Sequence, residues 1–135
     1  MAWIEPKINW KDGDFFNHID YNRITSNIDY VREMLGLDSL FTPKSIDGYM
    51  RVSEYNAITQ EIQRLYNEEG FYFEYYGIAD RNSYSNPWNA NQLNIIESAI
   101  KAMYSELRSG KVQISDESKT LNLASEDMNY NIYSE

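Results

Sequence analysis

The sequence predicts a mainly α fold: three related helices at about 18–35, 52–68 and 90–109, a short aromatic strand or hairpin, and extended terminal arms. Three observations predict it. An Asn recurs in one register at Asn22, Asn56 and Asn94, each sits in the same apolar ladder, and each ladder ends at a glycine, with a capping Asn at the start of the first and third.

The first ladder is Tyr21, Ile24, Ile28 and Val31, the second Tyr55, Ile58, Ile62 and Leu65, and the third Leu93, Ile96, Ile100 and Met103. Steps of three, four and three keep side chains on one stripe of an α-helix, whereas a strand needs steps of two. Leu35 and Leu107 extend the outer ladders, but Glu69 stands at that place in the second. The second helix is therefore expected to stop sooner.

Five residues before each marker stand Asn17, Arg51 and Asn89, followed three residues later by Asp20, Glu54 and Gln92. This is a capping-box pattern in the first and third copies, where an Asn oxygen accepts a first-turn amide and the later side chain answers the cap's own N–H. Arg51 cannot cap in this way, so Ser53 is an alternative start for the second helix. Phe16, Met50 and Trp88 precede the caps at the hydrophobic-staple position, and Gly36, Gly70 and Gly110 supply the stops.

An Asn inside a helix costs about 0.5–0.7 kcal/mol relative to Ala, so three of them in one register require a reason. A structural role is expected, in which the amide reaches the backbone of the preceding loop. A ligand-binding Asn would have to explain all three copies.

The arm at 1–9 carries Trp3, Ile4 and Ile8 around Pro6 and reads as extended chain. Trp10 opens the helical repeat domain, 10–110, and is expected in its core. Trp3 is expected on a partner. In Phe71-Tyr72-Phe73-Glu74-Tyr75-Tyr76, β-formers lie between Gly70 and a polar loop, which predicts a strand with Phe71, Phe73 and Tyr75 on one face. Val112 and Ile114 alternate as in a second short strand. The remainder of the segment 111–135 has sparse apolar residues, among them Met128, Tyr130 and Tyr133, and reads as an interaction tail.

Length and composition bound the function. The 135 residues suit one domain, and 12 basic against 21 acidic side chains give −9, which disfavours nucleic acid and anionic membranes. No apolar run approaches the ~20 residues of a membrane span, and the first residues lack the basic and apolar regions of a signal peptide, so folding in a cytoplasm is expected. Without Cys there is no disulfide or thiolate site, and one His rules out a histidine-rich zinc centre.

Candidate chemistry is thin. Asp12-Gly13-Asp14 offers oxygens as a calcium loop does, but Phe15 and Phe16 occupy ligand places, so a tight turn at Gly13 is expected. His18 has carboxylates nearby and no nucleophile, and is expected to face solvent. Asp29, Glu61, Glu68, Glu97 and Glu106 are read as solvated helix faces, with Glu97 and Lys101 an i,i+4 pair. No phosphate loop, nucleophile elbow or metalloprotease helix is present. The residues therefore predict no enzyme, no metal and no cofactor.

Taken together, Trp10, Gly13, Asp14, Asp20, Asn22, Arg23 and Ile24 form a W-x-x-G-D…D-x-N-R-I segment. It resembles a segment of tail, baseplate and fibre-associated proteins of tailed phages, prophages and phage-tail-like particles of Gram-positive bacteria, over residues 8–35. Asn56, Trp88 and Asn94 echo it in the later copies. The resemblance implies a virion component that acts as a structural subunit or adaptor. Its expected partners are further copies of itself and other tail, baseplate or fibre proteins, held through Trp3, Tyr72, Tyr75, Tyr76, Met128, Tyr130 and Tyr133. The alternative is a receptor- or carbohydrate-binding module that meets a cell-surface glycan through the Tyr-rich strand.

Overall fold

A computed structural model describes residues 2–46, 50–82 and 88–114. Among these, the chain forms three helices, α1 (His18–Met34), α2 (Val52–Glu69) and α3 (Ala90–Arg108). The bounds follow the local chemistry. Asn17 accepts the N–H groups of Ile19 and Asp20, and Asp20 answers the Asn17 N–H at 3.1 Å. Asn89 and Gln92 repeat the exchange at 2.8 and 3.0 Å. At α2 only half of it exists, with Glu54 accepting the Arg51 N–H at 2.8 Å. Val52, not Ser53, nonetheless begins that helix. All three glycine stops sit in left-handed backbone, with φ of 80°, 76° and 82° at Gly36, Gly70 and Gly110.

The ladders make the core. Ile24, Ile28, Val31, Ile58, Ile62, Leu65, Ile96, Ile100 and Met103 are all essentially inaccessible to solvent. Burial on this scale is the main stabilising term for a chain of this size.

All three helices run in the same direction. Arg23 meets Glu97 early in α1 and α3, and Tyr30 meets Tyr104 near their ends, a rising order that an antiparallel pair would reverse. Phe16 touches Tyr55 at one end of α1 and α2, while Arg32 binds Glu61 further along. Tyr55 packs on Trp88 at the start of α2 and α3, and the Tyr72 N–H just past α2 reaches Glu106 in the last turn of α3. Parallel helices align their dipoles, and the ends are dressed accordingly. Asp20 and Glu54 lie in first turns, Arg32 and Arg108 in last turns.

This direction dictates the connections, because each linker must return the full length of a helix, ~25 Å, before the next can start. About eight residues of extended chain cover that distance. The described parts of the segments before α2 and α3 are such returning lead-ins, the segment before α1 takes the equivalent place beside α3, and together they form three lead-in–helix units arranged in a ring.

The two expected strands are absent among the described residues. Residues 71–76 pair with no other strand: Phe71 and Tyr75 are buried, Phe73 is half-buried, and Tyr72 and Tyr76 are exposed. The alternation was read correctly, while the ladder was not, because the segment's neighbours are the side chains of α2 and α3 and not a second strand. Tyr66 packs on both Phe73 and Tyr75. Residues 112–114 behave alike, with Val112 buried and no strand partner.

Candidate functional site

The three marker Asn residues make the same contact. Asn22 donates to the Lys44 carbonyl and accepts the Lys44 N–H, at 2.9 and 2.8 Å. Asn56 grips Arg81 in the same way at 2.9 and 2.7 Å, and Asn94 grips Trp10 at 3.0 and 2.7 Å. A side-chain amide is suited to this because it presents a donor and an acceptor side by side, matching one residue's backbone pair. The expected grip is present, but on a different loop. Each Asn holds the lead-in of the next helix rather than its own, and the third Asn returns to the lead-in of the first. Parallel helices explain the correction, since the chain leaving one helix must travel back along it.

The last of these contacts closes the ring and is reinforced by Glu97. This carboxylate, 1% exposed, accepts the Lys7 N–H at 3.0 Å, the Trp10 indole N–H at 2.7 Å, and Arg23 Nε and Nη2 at 2.9 and 2.7 Å. Arg23 also binds Asp20, at 2.9 Å. Burial alone would lower the Arg23 pKa, but the hydrogen bonds and charge of Glu97, followed by those of Asp20, outweigh it and raise it. Trp10 itself is 4% exposed, and Lys7 Nζ lies 4.0 Å from its ring centroid. Asp12 and Gly13 form the expected turn, with the Asp14 N–H on the Lys11 carbonyl and the Lys11 N–H on the Asp14 carboxylate, both at 3.1 Å. Lys7 reaches Asp14 at 3.3 Å. Trp10, Gly13, Asp14, Asp20 and Arg23 thus converge on one latch, with Asn22 and Ile24 beside it on the loop and core sides of α1.

The expectation of solvated acidic faces holds only for Glu68. Glu97, Glu61, Asp29 and Glu106 are buried, and Lys101 pairs with Glu5 at 2.6 Å, not with Glu97. Asp29 accepts the N–H groups of Leu40 and Phe41 at 2.8 and 3.1 Å, and Glu106 that of Tyr72 at 2.7 Å. Glu61 is bound by Arg32 and Arg64. Burial pushes its pKa up, and the Arg64 and Arg32 hydrogen bonds overcome this and hold it below the usual value. Buried charges survive only when matched, and here main-chain N–H groups and guanidinium groups match them. Asn27 adds a fourth amide grip, exchanging bonds with Ile4 at 3.0 and 2.7 Å.

No protein-family model, curated protein or solved structure matches this chain.

Surface features lie away from the latch. Trp3, expected on a partner, stacks on Tyr104 with centroids 3.9 Å apart and tilts against Tyr30, so the arm folds onto its own helices. Tyr75 belongs to the core, and burial pushes its hydroxyl pKa up to about 12. Tyr72 and Tyr76, 65% and 88% exposed, remain as surface aromatics. At the opposite end of the bundle, where the helices begin, Phe15 is 89% exposed at the rim of a cavity of about 340 Å³ backed by Phe16, Tyr55 and Trp88. Trp88 packs edge-on against both Phe16 and Tyr55. His18 is half-buried at the start of α1. Among the described residues no three metal-binding side chains cluster. Met128, Tyr130 and Tyr133 lie outside the described residues.

Proposed function

We propose that this chain is a structural subunit or adaptor of a phage tail or baseplate, holding neighbouring tail or fibre proteins through exposed aromatic residues on a rigid ring of helices. The supporting observation is the fate of the W-x-x-G-D…D-x-N-R-I residues: Trp10, Gly13, Asp14, Asp20 and Arg23 serve one latch that locks the arm to α1 and α3, while Asn22 holds the lead-in of α2 and Ile24 fills the core. Such a segment works as a folding module that prepares a surface, not as a reactive centre. The buried polar groups of the latch are consumed by internal bonds, and Phe15, Ile46, Tyr72 and Tyr76 are among the large side chains exposed for contact with other proteins.

The test is incorporation. Particles are purified by density gradient from cells that carry the wild-type chain or Tyr72→Ser/Tyr76→Ser, and the chain is quantified by mass spectrometry and located by electron microscopy. The wild type is expected at fixed stoichiometry, and the variant is expected to fold normally but drop at least tenfold. A wild-type chain missing from the particles would sink the proposal. Binding of the isolated chain to cell-wall glycans, lost with the same two tyrosines, would favour a receptor-binding role instead.

A further inference from the structure

Phe15 is the most open large apolar side chain among the described residues, at 89% exposed, yet it stands at the rim of a cavity made for a ring. The cavity, about 340 Å³, is walled by Phe16, Tyr55, Trp88, Ala90 and Leu93. Trp88 already meets Phe16 and Tyr55 edge-on, with centroids 5.9 and 4.7 Å apart, so one more aromatic ring would extend an existing cluster. The volume lies at the lower end of the ~300–1,000 Å³ of ligand sites, which admits a ring and part of the turn that carries it. Trp88 also has an unmet need. Its indole N–H is buried and has no hydrogen-bond partner among the described residues, and the main-chain carbonyls of an arriving turn are suitable acceptors.

Charge decides which partner can approach. A net −9 opposes the meeting of two copies of this chain in general, but the carboxylates at this end are matched: Asp14 by Lys7 at 3.3 Å, Asp20 by Arg23 at 2.9 Å and Glu54 by Lys44 at 2.6 Å. Lys11 and Asp12, both exposed, stand side by side with opposite charge on the turn that carries Phe15. Ring, cavity and charge pair thus share one small face. A two-fold contact needs this arrangement, because each residue of such a face meets its complement on the other copy.

We propose that this end of the bundle is a self-association face, on which two copies meet across a two-fold axis. The Phe15 ring of each enters the cavity of the other, and Lys11 of each faces Asp12 of the other. The face covers only one end of the bundle, so the dimer is a weak one that local concentration drives. This contact is independent of the phage-tail reading and of the surface that carries Tyr72 and Tyr76.

Sedimentation equilibrium of the full chain between about 10 μM and about 1 mM reads the association. A monomer–dimer equilibrium with Kd inside that range is expected. Phe15→Ser, which changes an exposed side chain, and Ala90→Leu, which fills the cavity, should each weaken the dimer by roughly tenfold or more while the helical circular dichroism stays unchanged. Lys11→Asp and Asp12→Lys should each weaken it alone, and a mixture of the two variants should restore it, because unlike charges then face each other. Tyr72→Ser/Tyr76→Ser should leave the dimer intact, so failure of this contact and failure of incorporation into particles are read separately. A chain that stays monomeric up to about 1 mM overturns the proposal. A dimer indifferent to Phe15→Ser, or lost with Tyr72→Ser/Tyr76→Ser, overturns it equally.

Discussion

Substituting Ala for each marker Asn in turn measures what the grips contribute, with the three copies serving as internal controls. Each substitution deletes two hydrogen bonds to a backbone, each with a net worth of about 1 kcal/mol, and recovers about 0.6 kcal/mol of helix propensity. Asn22→Ala and Asn56→Ala should therefore cost about 1.5 kcal/mol, because Lys44 and Arg81 are half-buried and water can reach the freed groups. Asn94→Ala should cost about 2–3 kcal/mol, because Trp10 is buried and its stranded N–H and carbonyl are desolvated. Near 4 °C per kcal/mol for a chain of this size, the expected drops in melting temperature are about 6 °C and about 10 °C. Thermal and urea unfolding followed by far-ultraviolet circular dichroism reads both. Asn22→Asp adds a sign: the carboxylate keeps the acceptor but faces the Lys44 carbonyl without a donor, so its penalty should shrink below about pH 4, where protonation restores the donor. If the Ala variants are as stable as the parent or more so, only helix propensity is at work and the grips contribute nothing.

Glu97→Ala leaves the half-buried Arg23 with Asp20 but without its bidentate partner, and strands the Trp10 indole and the Lys7 N–H, so a loss of about 3 kcal/mol is expected in the same unfolding assay. A loss below 1 kcal/mol would show that the hub is incidental. The Glu61 pKa is depressed in the folded chain, so its contribution is fully present above the unfolded value near 4.5 and disappears as pH falls through the folded value. Glu61→Gln should flatten the acid limb of a stability–pH curve, and an unchanged limb would contradict the Arg32–Glu61–Arg64 cluster. The buried Tyr75 hydroxyl has the opposite sense: raised to about 12, it contributes stability below pH 10 that is lost between 10 and about 12. Tyr75→Phe should remove this alkaline loss while leaving neutral-pH stability within about 1 kcal/mol, since the hydroxyl has no partner among the described residues.

Helix number, spans and caps were legible because they depend on short-range chemistry. A ladder of three, four and three, an Asn at the cap and a glycine at the stop are local facts, and the ends of all three helices fall within a residue or two of the reading. Helix direction was not legible, since nothing in a helix's own residues says whether its neighbour runs with or against it. That single unknown misplaced the loop held by each Asn, and it led 71–76 to be read as a paired strand when it is a returning lead-in. Glu97 was missed for a different reason. It lies four residues after Leu93 and three before Ile100, on the apolar face, and Thr25 and Thr59 occupy its place in the other copies. Those threonines bond back to their own helices, whereas Glu97 receives the arm. The departure from register at that place is the signal in the sequence, and it is weak because an acidic residue on a helix is usually solvated.

Parallel helices also set a pace. Antiparallel helices joined by short turns find each other quickly, but here no helix can dock until a lead-in has crossed the length of the bundle. The decisive latch joins residues 84 and 87 positions apart, Trp10 with Asn94 and with Glu97. Folding time grows with such separations, because chain entropy must be lost before the contacts that reward it form. An all-helical protein of this design should thus fold on the timescale of mixed α/β domains, with closure of the ring as its last event.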